Sequence, residues 1–318
     1  MFYEKFGQAA VIGVALLYSA ASQATPLSDY NLILTGDYHY QGGEVEGRTI
    51  IGGDLNAAGQ SPTFAIRETT VPFEDTVTVA GNINASNINL NAGSLTYGGN
   101  LNVSNVNLNG GGSSVQKVTA GEQAAMASNM AGLESQLRAD SAYFSGLTAN
   151  GSFSTSHLSY SGSDDMAVFN VNFSEVFAQN NSLSLAAGSA KTVVINVAGS
   201  AVSVAGGVNL TSGFGILDDG LNIGAANILW NFYEAETIDF NSIAFVGAIL
   251  AMDADLVGGA VFDGSVAAES FTGAREFHNT GFNWQEPQIP ATVSEGSSSI
   301  LFALGLGFVV LSRRRNCI

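Results

Sequence analysis

Cysteine is nearly missing from this chain of 318 residues: the single one, Cys317, stands at the very end. No disulfide can form within one chain and no cysteine zinc site can be built, so stability must come from an apolar core and backbone hydrogen bonds. Charge is scarce as well. Asp, Glu, Lys and Arg make up 12% of the residues, about half the usual share. Basic residues are the scarcest of these, 10 against 27 acidic ones, for a formal net charge of -17. Lys5, Arg313, Arg314 and Arg315 lie near the ends, which leaves Arg48, Arg67, Lys117, Arg138, Lys191 and Arg275 for the whole middle. Nucleic acid and anionic lipid are poor partners for such a surface. A divalent cation or a neutral or cationic surface is acceptable, and acidity also serves simply to keep a secreted protein soluble.

Apolar residues nonetheless reach 46%, and there are 38 glycines. A disordered chain would be poor in the former. High Gly with abundant Asn, Ser and Thr points to a β-rich extracellular protein. The most telling stretch runs from Val79 to Gly112 without one charged side chain. It holds two copies of one unit, GNINASNINLN from Gly81 and GNLNVSNVNLN from Gly99, 18 residues apart. Ile83, Ala85, Ile88 and Leu90 in the first copy, and Leu101, Val103, Val106 and Leu108 in the second, alternate with polar residues as a strand with one buried face does. The phase slips at Ser86-Asn87 and Ser104-Asn105 read as corners. Near-identical units of this length are what a β-solenoid needs: apolar positions stack into internal ladders, and corner Asn or Gly tolerates a left-handed backbone. The competing arrangement, an up-and-down β-sandwich, requires no such repeat. Arg48–Gly59 carries the same Gly-Gly-Asp-Leu-Asn pattern as Gly98–Asn102. Lys191–Leu210 reads as two strands around Gly199-Ser200, and Ile243–Phe271 as short strands broken by Gly and Asp.

One segment, Thr119 to Leu147, has helical spacing instead. Ala125, Met126, Met130, Leu133, Leu137 and Ala142 can share one face, Thr119 with Glu122 forms a capping box, and Gly146 is a stop signal. The expected fold is therefore mainly β: a parallel β-helix-like solenoid with one long flanking α-helix over about 119–146.

Both ends read as addresses. Lys5 precedes an apolar run from Ala9 to Ala21, and Ser22-Gln23-Ala24 offers small residues for a signal peptidase, so residues 1–24 are expected to be a secretory signal cleaved after Ala24. A membrane anchor is the competing reading, for which the run is short. At the other end, a linker over 286–299 leads to an apolar run, Ile300 to Leu311, and a basic stop, Arg313 to Arg315, within the segment 300–318. This plan resembles the PEP-CTERM sorting signal of bacterial surface proteins, which implies an exosortase-like processing enzyme and at least transient membrane anchoring. The motif departs from that class, with Val293-Ser294-Glu295-Gly296 where Val-Pro-Glu-Pro is usual, so a related sorting enzyme or an uncut anchor stays open.

Two body segments carry a further resemblance. Tyr30–Asn56 contains Val45-Glu46-Gly47-Arg48. Ile228–Asn283 contains Trp230-Asn231-Phe232, Gly247-Ala248-Ile249-Leu250-Ala251 with Ala254-Asp255, Gly264-Ser265-Val266-Ala267-Ala268, and Glu276-Phe277-His278-Asn279. Together these resemble the choice-of-anchor A domain of bacterial surface proteins, with Met252-Asp253 in place of that family's usual Pro-Asn. The domain is expected to span 25–285. The resemblance implies a surface-exposed adhesive domain, similar in plan to ice-binding-type solenoids with a flanking helix.

Candidate chemistry is sparse. His39, His157 and His278 are not at metal spacing, and His278 is expected to cap the last coil. Asp253 with Asp255, and Asp218 with Asp219, are candidate calcium ligands, with solvated loops as the competing reading. Neither fits a known calcium loop, and no other cofactor is indicated. Asp164-Asp165 is another acidic pair, but the basic partners of a polysaccharide-cleaving solenoid are nearly absent. Trp230 is expected in the core. Tyr38 and Tyr40, flanking His39, are candidates for an exposed aromatic contact. The expectation is a non-catalytic, secreted, cell-surface adhesive or matrix-associated structural protein. Its partner would be matrix polysaccharide or a host or abiotic surface, not nucleic acid. An ice or crystal binder, and last a polysaccharide-degrading β-helix enzyme, are the alternatives.

Overall fold

Alternating apolar and polar residues wind into short parallel strands that stack coil on coil. In the computed structural model of the chain, residues 24–68, 75–215, 223–258 and 260–284 are described. Among them, a 19-stranded, almost wholly parallel sheet winds around one apolar interior, with a smaller 4-stranded sheet beside it. The eighteen-residue period sets the stacking: Ile83 pairs with Leu101 and Asn84 with Asn102, while Asn87 through Leu90 pair with Asn105 through Leu108. The Gly-Gly-Asp-Leu-Asn segment joins the same column, Leu55 pairing with Ile83.

Each coil has three sides. The first carries Leu32–Leu34, Thr49–Ile51 and Val77–Val79. The second carries Leu55–Ala57, Ile83–Ala85 and Leu101–Asn102. The third carries the column Val45, Phe64, Leu90 and Leu108.

The first described strand lies in the middle of the stack. Leu32–Leu34 lies between Thr49–Ile51 and the start of Val266–His278, so the first and last coils are neighbours. From there the chain winds outward to the strand Asn105–Lys117, which among the described residues pairs only with Asn87–Tyr97. It then crosses to the far end through helix α1 (Ala120–Ser145) and winds back through Met166–Asn172, Thr192–Ala198, Ile228–Asn231 and Ala248–Val257.

The crossing length explains the helix. The seven inter-strand steps from Leu95 to Ile195 span about 34 Å at the usual strand spacing. The 26 residues of α1 reach about 39 Å while satisfying their own backbone hydrogen bonds. The Thr119 backbone N–H and hydroxyl both donate to the Glu122 carboxylate, at 2.7 and 2.8 Å, and Gly146 ends the helix.

The helix packs on the first side less uniformly than its sequence suggests. Leu137 and Phe144 are fully buried against Val194, Leu229, Leu250 and Ala267, with Leu133 and Met130 partly so. Ala125 and Ala142, expected on the buried stripe, are exposed. The anchor is Phe144, seven residues after Leu137 and so on the same face. It meets Phe282 and Trp284, which follow the last strand.

The interior differs between the two halves. Toward Asn105–Lys117 it is aliphatic, with Leu55, Val77, Ile83, Ile88, Leu90 and Leu95. Toward Met166–Asn172 it is aromatic. Trp230 touches the rings of Phe177, Phe214, Phe232 and Phe245, and Phe240 joins Phe245 to Phe262. Trp230 is fully buried, as its sequence context implies, and its indole N–H donates to the Val246 carbonyl at 3.0 Å.

Candidate functional site

The corner leading into the second side shows how local sequence builds surface. Gly53, Gly81 and Gly99 stack there, each N–H donating to the backbone carbonyl of the glycine one coil back. A Cβ on Gly81 would collide with the Asp54 carboxylate and the Gly53 backbone, so the close approach requires glycine. The following residue carries the ladder. Asp37 accepts the Asp54 N–H at 2.7 Å, Asp54 the Asn82 N–H at 2.6 Å, and Asn82 the Asn100 N–H at 2.9 Å. Gly-Gly-Asp/Asn is therefore a stacking device.

Two residues on, a second ladder faces outward. Asn102 donates to Asn84 at 2.8 Å and Asn84 to Asn56 at 3.0 Å. On the third side Asn107 donates to Asn89 at 2.8 Å and Asn89 to Thr63 at 3.2 Å. Each amide is held by the next, so the polar groups stand at fixed orientation, about 4.8 Å apart along the stack.

The second side is open along eight paired strands. Its outward column reads Asn102, Asn84, Asn56, His39, Thr272, Val257, Asp239 and Ser203. Beside it run Asp37, Ser270, Asp255, Thr237 and Ala201. The third side carries Asn107, Asn89, Thr63, Glu44, Glu276 and Val261. Burial and the neighbouring Glu276 and Glu46 carboxylates push the Glu44 carboxyl above its ordinary range. Threonines do align in the column Thr78–Thr96, but on the first side, which the helix overlies. There two clefts of about 570 and 810 Å³ flank the helix beside Met126 and Met130.

Tyr38 and Tyr40 do not form an exposed aromatic contact. They are 0% and 7% exposed and line the interior, because strand alternation turns His39 outward and therefore its neighbours inward. The Tyr40 hydroxyl donates to the Gly43 carbonyl, and burial pushes the Tyr38 hydroxyl pKa upward. The aspartates expected near calcium have protein partners: Arg138 binds Asp253 at 2.6 Å, and Asp255 accepts the Ser270 hydroxyl. Asp218 and Asp219 lie outside the described residues, as do Ser294, Glu295, Gly296, Arg313, Arg314 and Arg315. Ala24 is the first described residue, and its carbonyl accepts from Gln136 at 3.1 Å. Among the described residues no three His, Cys, Asp or Glu side chains converge as a metal group, and no helix is long and apolar enough to cross a membrane.

The motifs of the two distant body segments meet at the seam between first and last coils. Glu46 accepts the Asn279 N–H at 3.0 Å and pairs with Arg67 at 3.3 Å. Gly47 is crowded by Asn31 and Asn279, and Arg48 lies over the Tyr30 ring at 4.3 Å. His278 hydrogen-bonds at this seam through its carbonyl, which accepts from Asn31, while its ring stands 3.9 Å from the Glu276 carboxylate. Asn31, which no sequence signal singled out, is the buried staple. Its amide donates to the His278 carbonyl at 2.8 Å and the Gly264 carbonyl at 3.3 Å, and its oxygen accepts the Gly47 N–H at 3.0 Å. Only its place before the first strand could have hinted at this.

A wound parallel sheet with one helix-covered side and laddered open sides defines a β-solenoid. The chain belongs to a family of adhesive domains: the family model described as "Putative Ice-binding-like adhesive domain" matches residues 23–279. No curated protein and no solved structure was found to match it.

Proposed function

We propose that the protein is a non-catalytic adhesive protein of the cell surface or extracellular matrix, and that the second side of the solenoid is its binding face. One observation carries the choice of face: eight strands lie open there, and on three of them the side chains of Asn102, Asn84 and Asn56 are held in register by ladder hydrogen bonds. A regular array of fixed donors and acceptors suits a ligand that is itself periodic, such as a matrix polysaccharide or a crystalline surface. Preorganisation lowers the entropy cost of engaging it. The family match supports the adhesive role. Secretion through the N-terminal signal, sorting by an exosortase-like enzyme and the absence of a required cofactor belong to the same reading.

The test is retention on insoluble materials: the producer's own matrix polysaccharide, cellulose, chitin, collagen and ice. Wild type is expected to be retained on at least one of them in a salt-resistant way, and Asn84→Lys to lose that retention. No retention anywhere, or equal retention of the variant, overturns the assignment. Retention on ice with thermal hysteresis would make frozen water the ligand. The threonine column does not favour that outcome, since it lies on the helix-covered side.

A further inference from the structure

The two ends of the solenoid are finished differently. At the end formed by Met166–Asn172, the outer edge is closed. Asn150 and Gly151 donate their N–H groups to the Val168 carbonyl, the Asn150 side-chain oxygen accepts the Val168 N–H at 2.7 Å, and Gly151 lies over the Phe169 ring. An antiparallel hairpin, Ser152–Ser154 with His157–Ser159, and the short helix α2 (Phe173–Val176) complete the cap.

At the other end, Asn105–Lys117 has, among the described residues, a strand neighbour on one side only. Helix α1 starts just after it and runs back along the first side, so it does not close the end. The column that is buried in every earlier coil surfaces here: Leu108 is 43% exposed, whereas Leu90 beneath it is 0%. Leu101, Val103 and Val106 are also left partly uncovered. Open sheet edges are normally guarded by charge, proline or a covering segment. Thr76 through Gln116 contains no charged residue and no proline.

We propose that this end is a self-association surface, where two copies of the chain meet coil to coil about a two-fold axis. The partner follows from what is exposed. It is all three sides of a coil, so a single added strand would leave most of it wet, whereas a second coil end has the same cross-section, apolar centre and asparagine rim. The cap at the other end blocks head-to-tail stacking, so head-to-head pairing is the closed solution. A two-fold axis across the stack makes facing strands antiparallel, and the one charge each partner brings on this coil, Lys117, stands at the end of its strand. The coil from Asn100 to Lys117 is a little smaller than the roughly 20–30 residues per side of a standard interface. The expected affinity is accordingly micromolar.

The test uses two full-length copies with different tags, co-expressed and captured by one tag. Wild-type copies are expected to copurify. Leu108→Lys in both copies should lower recovery tenfold or more, with the sheet signal in circular dichroism unchanged because Leu108 sits on the last coil. A mixed pair, Leu108→Lys with Leu108→Glu, should recover it. The proposal is overturned if wild-type copies stay apart, if the lysine pair copurifies like wild type, or if the mixed pair fails to reassociate.

Discussion

The two halves of the solenoid solve one problem in two ways. The first half, from Leu32 to Lys117, repeats mostly at 17–20 residues per coil, fills the interior of its outer coils with Leu, Ile and Val, and ties its outside with asparagine. The second half, from Met166 to His278, has longer coils near its cap, such as the 35-residue step from Val193 to Ile228. It fills that end with aromatic rings. A tight coil leaves room for branched aliphatic side chains, while a wide one needs rings to reach native packing density. The regular half can therefore be written as a repeat, while the irregular half depends on particular residues.

The largest effect that would sharpen this contrast is Trp230→Ala. It removes the ring at the centre of the aromatic cluster and should cost about 4 kcal/mol, measured by denaturant unfolding. Asn231→Ala comes next. Asn231 is buried under α1, donates to Asn196 and to the Ser141 carbonyl at 2.9 Å each, and accepts from the Ser141 hydroxyl at 2.7 Å. Leaving those partners unsatisfied should cost about 2 kcal/mol, and hydrogen exchange should speed up in the last turns of α1.

Asn84→Ala breaks a comparable amide ladder on the open side. Water can replace its partners there, so the cost should stay within about 1 kcal/mol, although surface binding should fall. Equal losses for Asn84→Ala and Asn231→Ala would break the comparison between exposed and buried ladders.

The smallest effect concerns pH. The Glu44 carboxyl titrates above its ordinary value of 4.5. Just above that pH the folded chain keeps a proton that the unfolded chain has lost, so this group's contribution to stability falls as pH rises through the raised value and is flat below 4.5. Glu44→Gln should flatten that limb in thermal melts taken across the acid range. An unchanged slope would remove Glu44 from the account.

Much of the regular half was legible because each coil repeats the same local decisions. Ile83/Leu101 and Asn84/Asn102 share types at matched positions, so period and inward face could both be read from the sequence. The capping box of Thr119 and Glu122 is local as well. Tyr38 and Tyr40 were harder: a Tyr-His-Tyr stretch has an alternation but no marker of which parity faces in, and only the Leu55 and Phe271 neighbours decide it. Phe144 and Asn31 were missed for a related reason. Each gains its role from a segment far away in the chain, Trp284 for one and His278 for the other.

The sequence by itself determined a disulfide-free, sparsely charged, stacked β architecture with one helical crossing, because periodicity, glycine corners and caps act over a few residues. Tertiary structure alone decided that the first described strand lies in the middle of the stack, that the first and last coils join through Asn31, and that among the described residues one end is capped while the other is open. Those are contacts between residues up to 247 positions apart, and no local preference of the chain encodes which distant strand will lie beside which.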